Sequence, residues 1–309
     1  MEYRFCNPYL ILKSLLMIVT LAAGLTYLSV RELNAEDKIP VFVSILPQQY
    51  FVQQIGKELV DVQVMVPPGS GPATYEPRPA QMLALGRTNI YFSIGVPFEN
   101  SWLKKISAIN PGMVVVHTDD GIQKQFMENH VCEETVSRPE NGHDHDQHVP
   151  DPHIWLSPPL VILQARSILI GLQQIDPAHR ETYARNYRSF ILRLVDLDEQ
   201  LRRLFADTGT KRFMVLHPAW GYFARSYGLS QIPIEVEGKP PKPAQLGKII
   251  DYARQHALKV ILAQPQSSAR LAEQVAQAVK GKVVYADPLS PQWEENLLTV
   301  AQQIKATLQ

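Results

Sequence analysis

The sequence predicts an α/β protein of two lobes, each with a mainly parallel sheet flanked by helices, joined by one long α-helix. Three observations predict it. Strand-like and helix-like segments alternate from Ile39 to Val116, a second alternation runs from Arg212 to the C-terminus, and an unbroken helical stripe lies between them. The implied divisions are a terminal segment over 1–35, an N-terminal lobe over 36–158, connecting helices over 159–205 and a C-terminal lobe over 206–309.

In the first lobe, Val41–Ile45 is β-rich, Gln48–Ile55 is helix-like and Val62–Val66 alternates as a second strand. A Pro- and Gly-rich loop from Pro67 to Pro79 leads to a short helix over Ala80–Arg87, then a strand over Ile90–Ile94. Met113–Val116 supplies another strand after the Asn110-Pro111-Gly112 turn. The stretch 118–150 is polar, acidic and histidine-bearing with little periodicity, which reads as a loop inserted in the lobe.

Pro159 opens a helix that ends near Asp176-Pro177. Tyr183, Tyr187, Phe190, Ile191, Leu194, Leu197, Leu201 and Leu204 then mark one amphipathic helix over Ala178–Phe205. At the ~1.5 Å rise per residue of an α-helix it is on the order of 40 Å long, enough to touch both lobes. The second lobe reads as strands at Arg212–Leu216, Ile232–Val236, Val260–Ala263 and Val283–Tyr285, with helices at Ala219–Tyr227 and Pro243–His256 and others between and after the later strands.

The charge balance is uninformative about an acidic or basic partner. Thirty Lys and Arg offset thirty Asp and Glu, so neither nucleic acid nor an anionic surface is indicated. At the N-terminus, Arg4 and Lys13 precede an apolar run from Leu15 to Leu25 and polar residues return at Arg31, the order of an export signal; an uncleaved anchor is the alternative. Cys6 precedes that run, so after processing Cys132 would stand alone and no internal disulfide is available.

Chemistry-bearing residues gather where α/β sheets bind ligands, beyond the carboxyl ends of strands. His217 follows the Arg212–Leu216 strand, Asp287 follows Val283–Tyr285, and Tyr75-Glu76 lie in the loop after Val62–Val66. His153, in Asp151-Pro152-His153-Ile154-Trp155, stands between the lobes, directly after a run carrying His143, His145 and His148. Imidazoles beside carboxylates are what borderline divalent metals select, so a transition-metal site is the expectation.

Five ordered segments carry a resemblance to a known family. They are Thr74-Tyr75-Glu76-Pro77-Arg78-Pro79, Asp151 to Pro158, His217 to Ala224, Glu237 to Leu246, and Asp287-Pro288-Leu289. From Ile39 onward the chain resembles the zinc- and manganese-binding solute-binding proteins of ABC transporters, the cluster A-I or cluster 9 group, and the acidic histidine-rich insertion is like that of its zinc-type members. The resemblance implies that His153, His217 and Asp287 ligate the metal and that the fourth ligand is a histidine just before the Tyr-Glu-Pro segment. Here that position is Ala73, which cannot bind metal.

The site is then either three protein ligands and a water, or completed by a substitute, with Glu76 or one of His143, His145 and His148 as the candidates, or degenerate. We expect the three-ligand core, completed by loop histidine or water. Imidazole at His217 favours Zn(II) over Mn(II), while donor chemistry alone leaves Cu(II) and Ni(II) open. The resemblance implies capture of metal outside the cytoplasmic membrane and delivery to an ABC permease by a monomer, with no bond made or broken. A zinc-dependent hydrolase using Glu76 as base is the contrasting reading, which the lack of a His-Glu-x-x-His pair disfavours. A metal chaperone or adhesin is the third.

Overall fold

Two four-stranded sheets share one winding. The first has strand order β2-β1-β3-β4 and the second β6-β5-β7-β8, every pairing parallel. The computed structural model describes residues 38–127, 150–208, 212–236 and 238–308. The N-terminal segment over 1–35, expected to be an export signal or anchor, and the loop histidines His143, His145 and His148 lie outside the described residues.

The first sheet comprises β1 (Ile39–Val43), β2 (Val60–Val64), β3 (Ile90–Ser93) and β4 (Val114–His117). β3 is buried at every position, as a central strand covered on both faces must be, whereas the edge strand β2 alternates buried and exposed. Helices α1 (Leu46–Gly56), α2 (Pro79–Leu85) and α3 (Pro97–Ile109) connect the strands. Each begins with Pro in its first turn, where the missing N–H costs nothing.

Helix α3 is an addition to the elements expected from the sequence. Its signal is there, since Pro97 is followed by Phe98, Trp102, Ile106 and Ile109 at helical spacing. Boundaries elsewhere move by a few residues. The second strand runs Val60–Val64 instead of Val62–Val66, because Met65 and Val66 leave the ladder while still bonding to Val43 and Ser44.

After α4 (Pro158–Ile175), α5 occupies Arg180–Phe205, with a single turn of 3-10 helix at Pro177–His179 ahead of it. The second sheet comprises β5 (Arg212–Val215), β6 (Ser230–Pro233), β7 (Val260–Ala263) and β8 (Lys282–Tyr285). Its helices are α6 (Gly221–Ser226), α7 (Pro243–Gln255), α8 (Arg270–Ala278) and α9 (Trp293–Thr307).

The expected strand over Ile232–Val236 sits two residues earlier, as Ser230–Pro233, while Ile234 and Glu235 continue by bonding to the carbonyls of Val215 and Leu216. The helix expected from Ala219 begins at Gly221, since His217-Pro218-Ala219 forms a tight turn with the Ala219 N–H on the His217 carbonyl.

Helix α5 reaches both sheets' surroundings. Near its start Asn186 donates to the carbonyl of Ile55 at the end of α1, and near its end Asp198 accepts from the Tyr227 hydroxyl at 3.0 Å. Phe190, Leu194, Leu197, Leu201 and Phe205 form its buried stripe. That stripe belongs to one continuous core that also includes Phe42 and Phe92 of the first sheet, Phe213 and Leu262 of the second, and Trp293 of α9. A smaller core of Met214, Ile232, Ile261, Val275 and others covers the opposite face of the second sheet. Among the described residues no helix is long and apolar enough to cross a membrane.

Candidate metal centre

His153 is held by the turn that precedes it. Asp151 accepts both the His153 backbone N–H, at 2.9 Å, and the His153 Nδ1–H, at 2.6 Å, on the same oxygen, Oδ1. A carboxylate on Nδ1 assigns the proton there and leaves Nε2 as a lone-pair donor. His153 is 6% exposed, so few other partners compete for its ring.

Asp151 is itself enclosed. Its other oxygen, Oδ2, would lie 3.0 Å from a Cβ on Gly221, as would Nε2 of Gln231, so α6 needs glycine at its first position to approach. The Asp151 N–H bonds to the Gln125 carbonyl, and the Tyr222 hydroxyl donates to the Asp151 carbonyl while accepting from the Gln125 N–H. Burial pushes the Tyr222 phenol up to about 12, which keeps it neutral and able to serve both bonds.

The following residues tie this turn to the second sheet. Trp155 donates its indole N–H to the Pro288 carbonyl at 2.7 Å, and Trp293 donates to the Trp155 carbonyl at 2.8 Å. Both indoles are buried with their single donor satisfied.

His217 stands two residues beyond β5. Its Nδ1 lies 2.7 Å from Oε2 of Glu235, again leaving Nε2 as the donor nitrogen. Val236 and Lys239 close a turn by exchanging backbone hydrogen bonds, and its Gly238 lies beside the His217 ring. At its corner Gly238 has φ +73°, and a Cβ there would sit 3.4 Å from His217 Cε1, so this corner favours glycine on both counts.

The two imidazoles meet. Their centroids are 5.4 Å apart and their planes cross at 73°. Two imidazoles bound through nitrogen to one tetrahedral zinc, at about 2.0 Å each, place their centroids about 5 Å apart. The pair is therefore spaced for one shared ion.

Asp287, two residues beyond β8, accepts the Leu289 N–H at 2.8 Å and the Gln266 amide N–H at 2.7 Å, both on Oδ1. It lines a cavity of about 60 Å³ with Gln266, Leu289 and the Pro67–Ser70 loop of the first lobe. Among the described residues, no three His, Cys, Asp or Glu side chains form a ready-made metal cage. His153 and His217 are brought together, and Asp287 is linked to the His153 turn through Pro288 and Trp155.

Ala73 and Glu76 are both exposed, in the loop between β2 and α2, while Tyr75 packs edge-on against Phe98. Three contributors are not singled out by the sequence alone. Asp151 stands out there only as part of a motif, and Glu235 and Gln266 do not stand out at all. A carboxylate two residues before a candidate ligand and another two residues beyond the strand beside β5 are the available signals.

The strand ends of the first sheet hold a buried polar network, beside which His117 closes β4 with its Nδ1 2.9 Å from the Ser93 hydroxyl. Glu99 accepts from the N–H groups of Ile94 and Gly95 and from the Ser44 hydroxyl, which lies 2.7 Å from that of Tyr91. Burial, the largest cause, raises the Glu99 carboxyl above its ordinary value. Gln48 spans the same ends, accepting from the Ser44 N–H and donating to the carbonyl of Phe92.

Comparison with known proteins matches this geometry to a family. The family model described as zinc-uptake complex component A, periplasmic, matches residues 41–308. The high-affinity zinc uptake system protein ZnuA of Bacillus subtilis is 30% identical over 250 residues, spanning 80% of this chain and 77% of its own. A crystal structure of ZnuA superposes with a TM-score of 0.80 at 38% identity, covering 88% of this chain and all of that one. A ZnuA deletion mutant with zinc bound gives 0.79 at the same identity, covering 88% of this chain and 98% of the other.

Proposed function

The chain belongs to the family of the periplasmic component A of zinc-uptake complexes, and from that membership we propose the role its paired imidazoles fit. It is the extracytoplasmic solute-binding component of an ABC transporter: it captures Zn(II) and delivers it to the permease in the cytoplasmic membrane. No bond is made or broken in that cycle, and the zinc is cargo.

One observation carries the assignment to this site. His153 and His217 lie 5.4 Å apart, and each has its Nδ1 on a carboxylate, so both offer Nε2 to a single ion. Asp287 supplies the third donor and water the open position left by Ala73. His143, His145 and His148 deliver zinc to that open position from the loop, and Glu76, being exposed, stays outside it. Imidazole pairs favour zinc over manganese. The protein works as an exported monomer, in the periplasm or at the outer face of the cytoplasmic membrane that holds the permease.

Competition against a chromogenic chelator tests the assignment. His153→Ala, His217→Ala and Asp287→Ala should each lower zinc affinity more than about 100-fold, beyond what loss of a residue behind a ligand usually costs. Wild-type affinity in His217→Ala would end it. Replacing His143, His145 and His148 together by alanine should slow capture at low zinc and leave the tight site in place.

A further inference from the structure

The second sheet brings a third polar residue between the two donors that its strands carry. β7 pairs with β5 on one side and with β8 on the other, Leu262 standing opposite both Val215 and Val284. Continuing that register beyond the strands, His217 is level with Gln264 and Asp287 with Pro265. Gln266 is the next residue along, at the carboxyl end of the middle strand, where the order of the sheet reverses and α/β folds place their ligands.

Its amide is oriented by its neighbour. A carboxylate accepts and does not donate, so the 2.7 Å contact with Asp287 Oδ1 must use the Gln266 Nε2–H, and Oε1 is turned away. That Oε1 is buried and meets no hydrogen-bond donor among the described residues. Leaving a buried amide oxygen unpaired costs free energy that folding usually avoids, so an orphan acceptor at a ligand site needs an explanation. Both residues line the cavity of about 60 Å³ beneath the Pro67–Ser70 loop, room for a water or two.

We propose that Gln266 is a positioning residue for the cargo ion: its Nε2–H holds Asp287 by Oδ1, which leaves Oδ2 to face the metal, and its Oε1 accepts a hydrogen bond from water carried on that metal. The inference rests on zinc binding at His153, His217 and Asp287. It gives the water at the position vacated by Ala73 a fixed protein partner, which lets a site with three protein donors retain its ion.

The test compares wild type, Gln266→Leu, Gln266→Met, Asp287→Ala and the Asp287→Ala/Gln266→Leu pair in zinc competition titrations, with Co(II) as a spectroscopic probe. Gln266→Leu and Gln266→Met should each lower zinc affinity about 10- to 100-fold and change the visible absorption of the Co(II) form, which reports coordination number and geometry. In the Asp287→Ala background, Gln266→Leu should cost less than it does alone, because only the bond to the metal-bound water is left to lose. Wild-type zinc affinity and an unchanged Co(II) spectrum in both Gln266 variants would overturn the proposal, as would a full additional loss in the double variant. Failure of the wild type itself to bind zinc would instead remove the reading on which the proposal rests.

Discussion

Trp155 and Pro288 are joined by one hydrogen bond, indole N–H to carbonyl oxygen at 2.7 Å, across 133 residues of sequence. One partner follows His153 by two residues and the other follows Asp287 directly. The bond thus sets how far apart two proposed donors stand. Trp155→Phe keeps most of the buried ring but strands the Pro288 carbonyl, at a cost of about 1–3 kcal/mol. Urea unfolding should register that loss, and zinc titration should show weaker binding; unchanged affinity would mean that the bond serves the fold alone.

Glu235 should matter to zinc binding although it faces the metal only through His217. In Glu235→Gln a carbonyl oxygen can still accept the Nδ1–H, whereas Glu235→Leu removes the acceptor. The expected order of affinity is wild type, then Glu235→Gln, then Glu235→Leu, with the last about 10- to 100-fold below the first. Calorimetric titration would reveal the order, and equal affinity in all three would refute it.

Tyr222→Phe should destabilise the protein without touching a donor. The phenol serves the Asp151 carbonyl and the Gln125 N–H together, and its removal leaves a partly buried amide unpaired. A loss of about 1–3 kcal/mol is expected in chemical unfolding. The same two bonds anchor the residues on either side of 128–149, so limited proteolysis near Gln125 should also quicken.

Glu99 predicts a pH dependence of stability. Its folded-state pKa lies above the ordinary 4.5, with burial the leading cause. Between those values the native state binds more protons than the unfolded chain, so stability falls as pH rises through the window. The stabilising contribution is complete below the unfolded value and is lost above the folded one. Glu99→Gln, which keeps an acceptor for Ile94 and Gly95, should flatten that slope; urea midpoints measured from pH 4 to pH 8 would show whether it does.

Much of the architecture is legible in the sequence because its signals are local. Central strands such as Ile90–Ser93 read as short apolar runs, and the stripe from Tyr183 to Leu204 has one period throughout. Helix α3 is harder to see because its apolar residues are spread among polar ones between two turns. His153 and His217 can be picked out because each falls in one of the ordered segments, Asp151 to Pro158 and His217 to Ala224, and joins other donor residues where sheets bind ligands. Their partners cannot, since an Asp, a Glu and a Gln are ordinary surface residues until the fold turns them inward. Pairing of His217 with Glu235 depends on the register of β5 against β6, which no window of sequence contains.

The core that runs from Phe42 through α5 to Phe213 has a consequence for anyone who would divide the chain. Severing it at the loop after Phe205 would yield a front piece whose α1 and α5 expose Phe51 and Phe205, rings now covered by Trp293, Phe223 and Tyr227, and a rear piece missing the surface against which those side chains pack. Neither piece should fold alone, and co-expressed they should recover one another. Heat should accordingly melt the intact protein in a single transition, with no stage at which one lobe outlives the other.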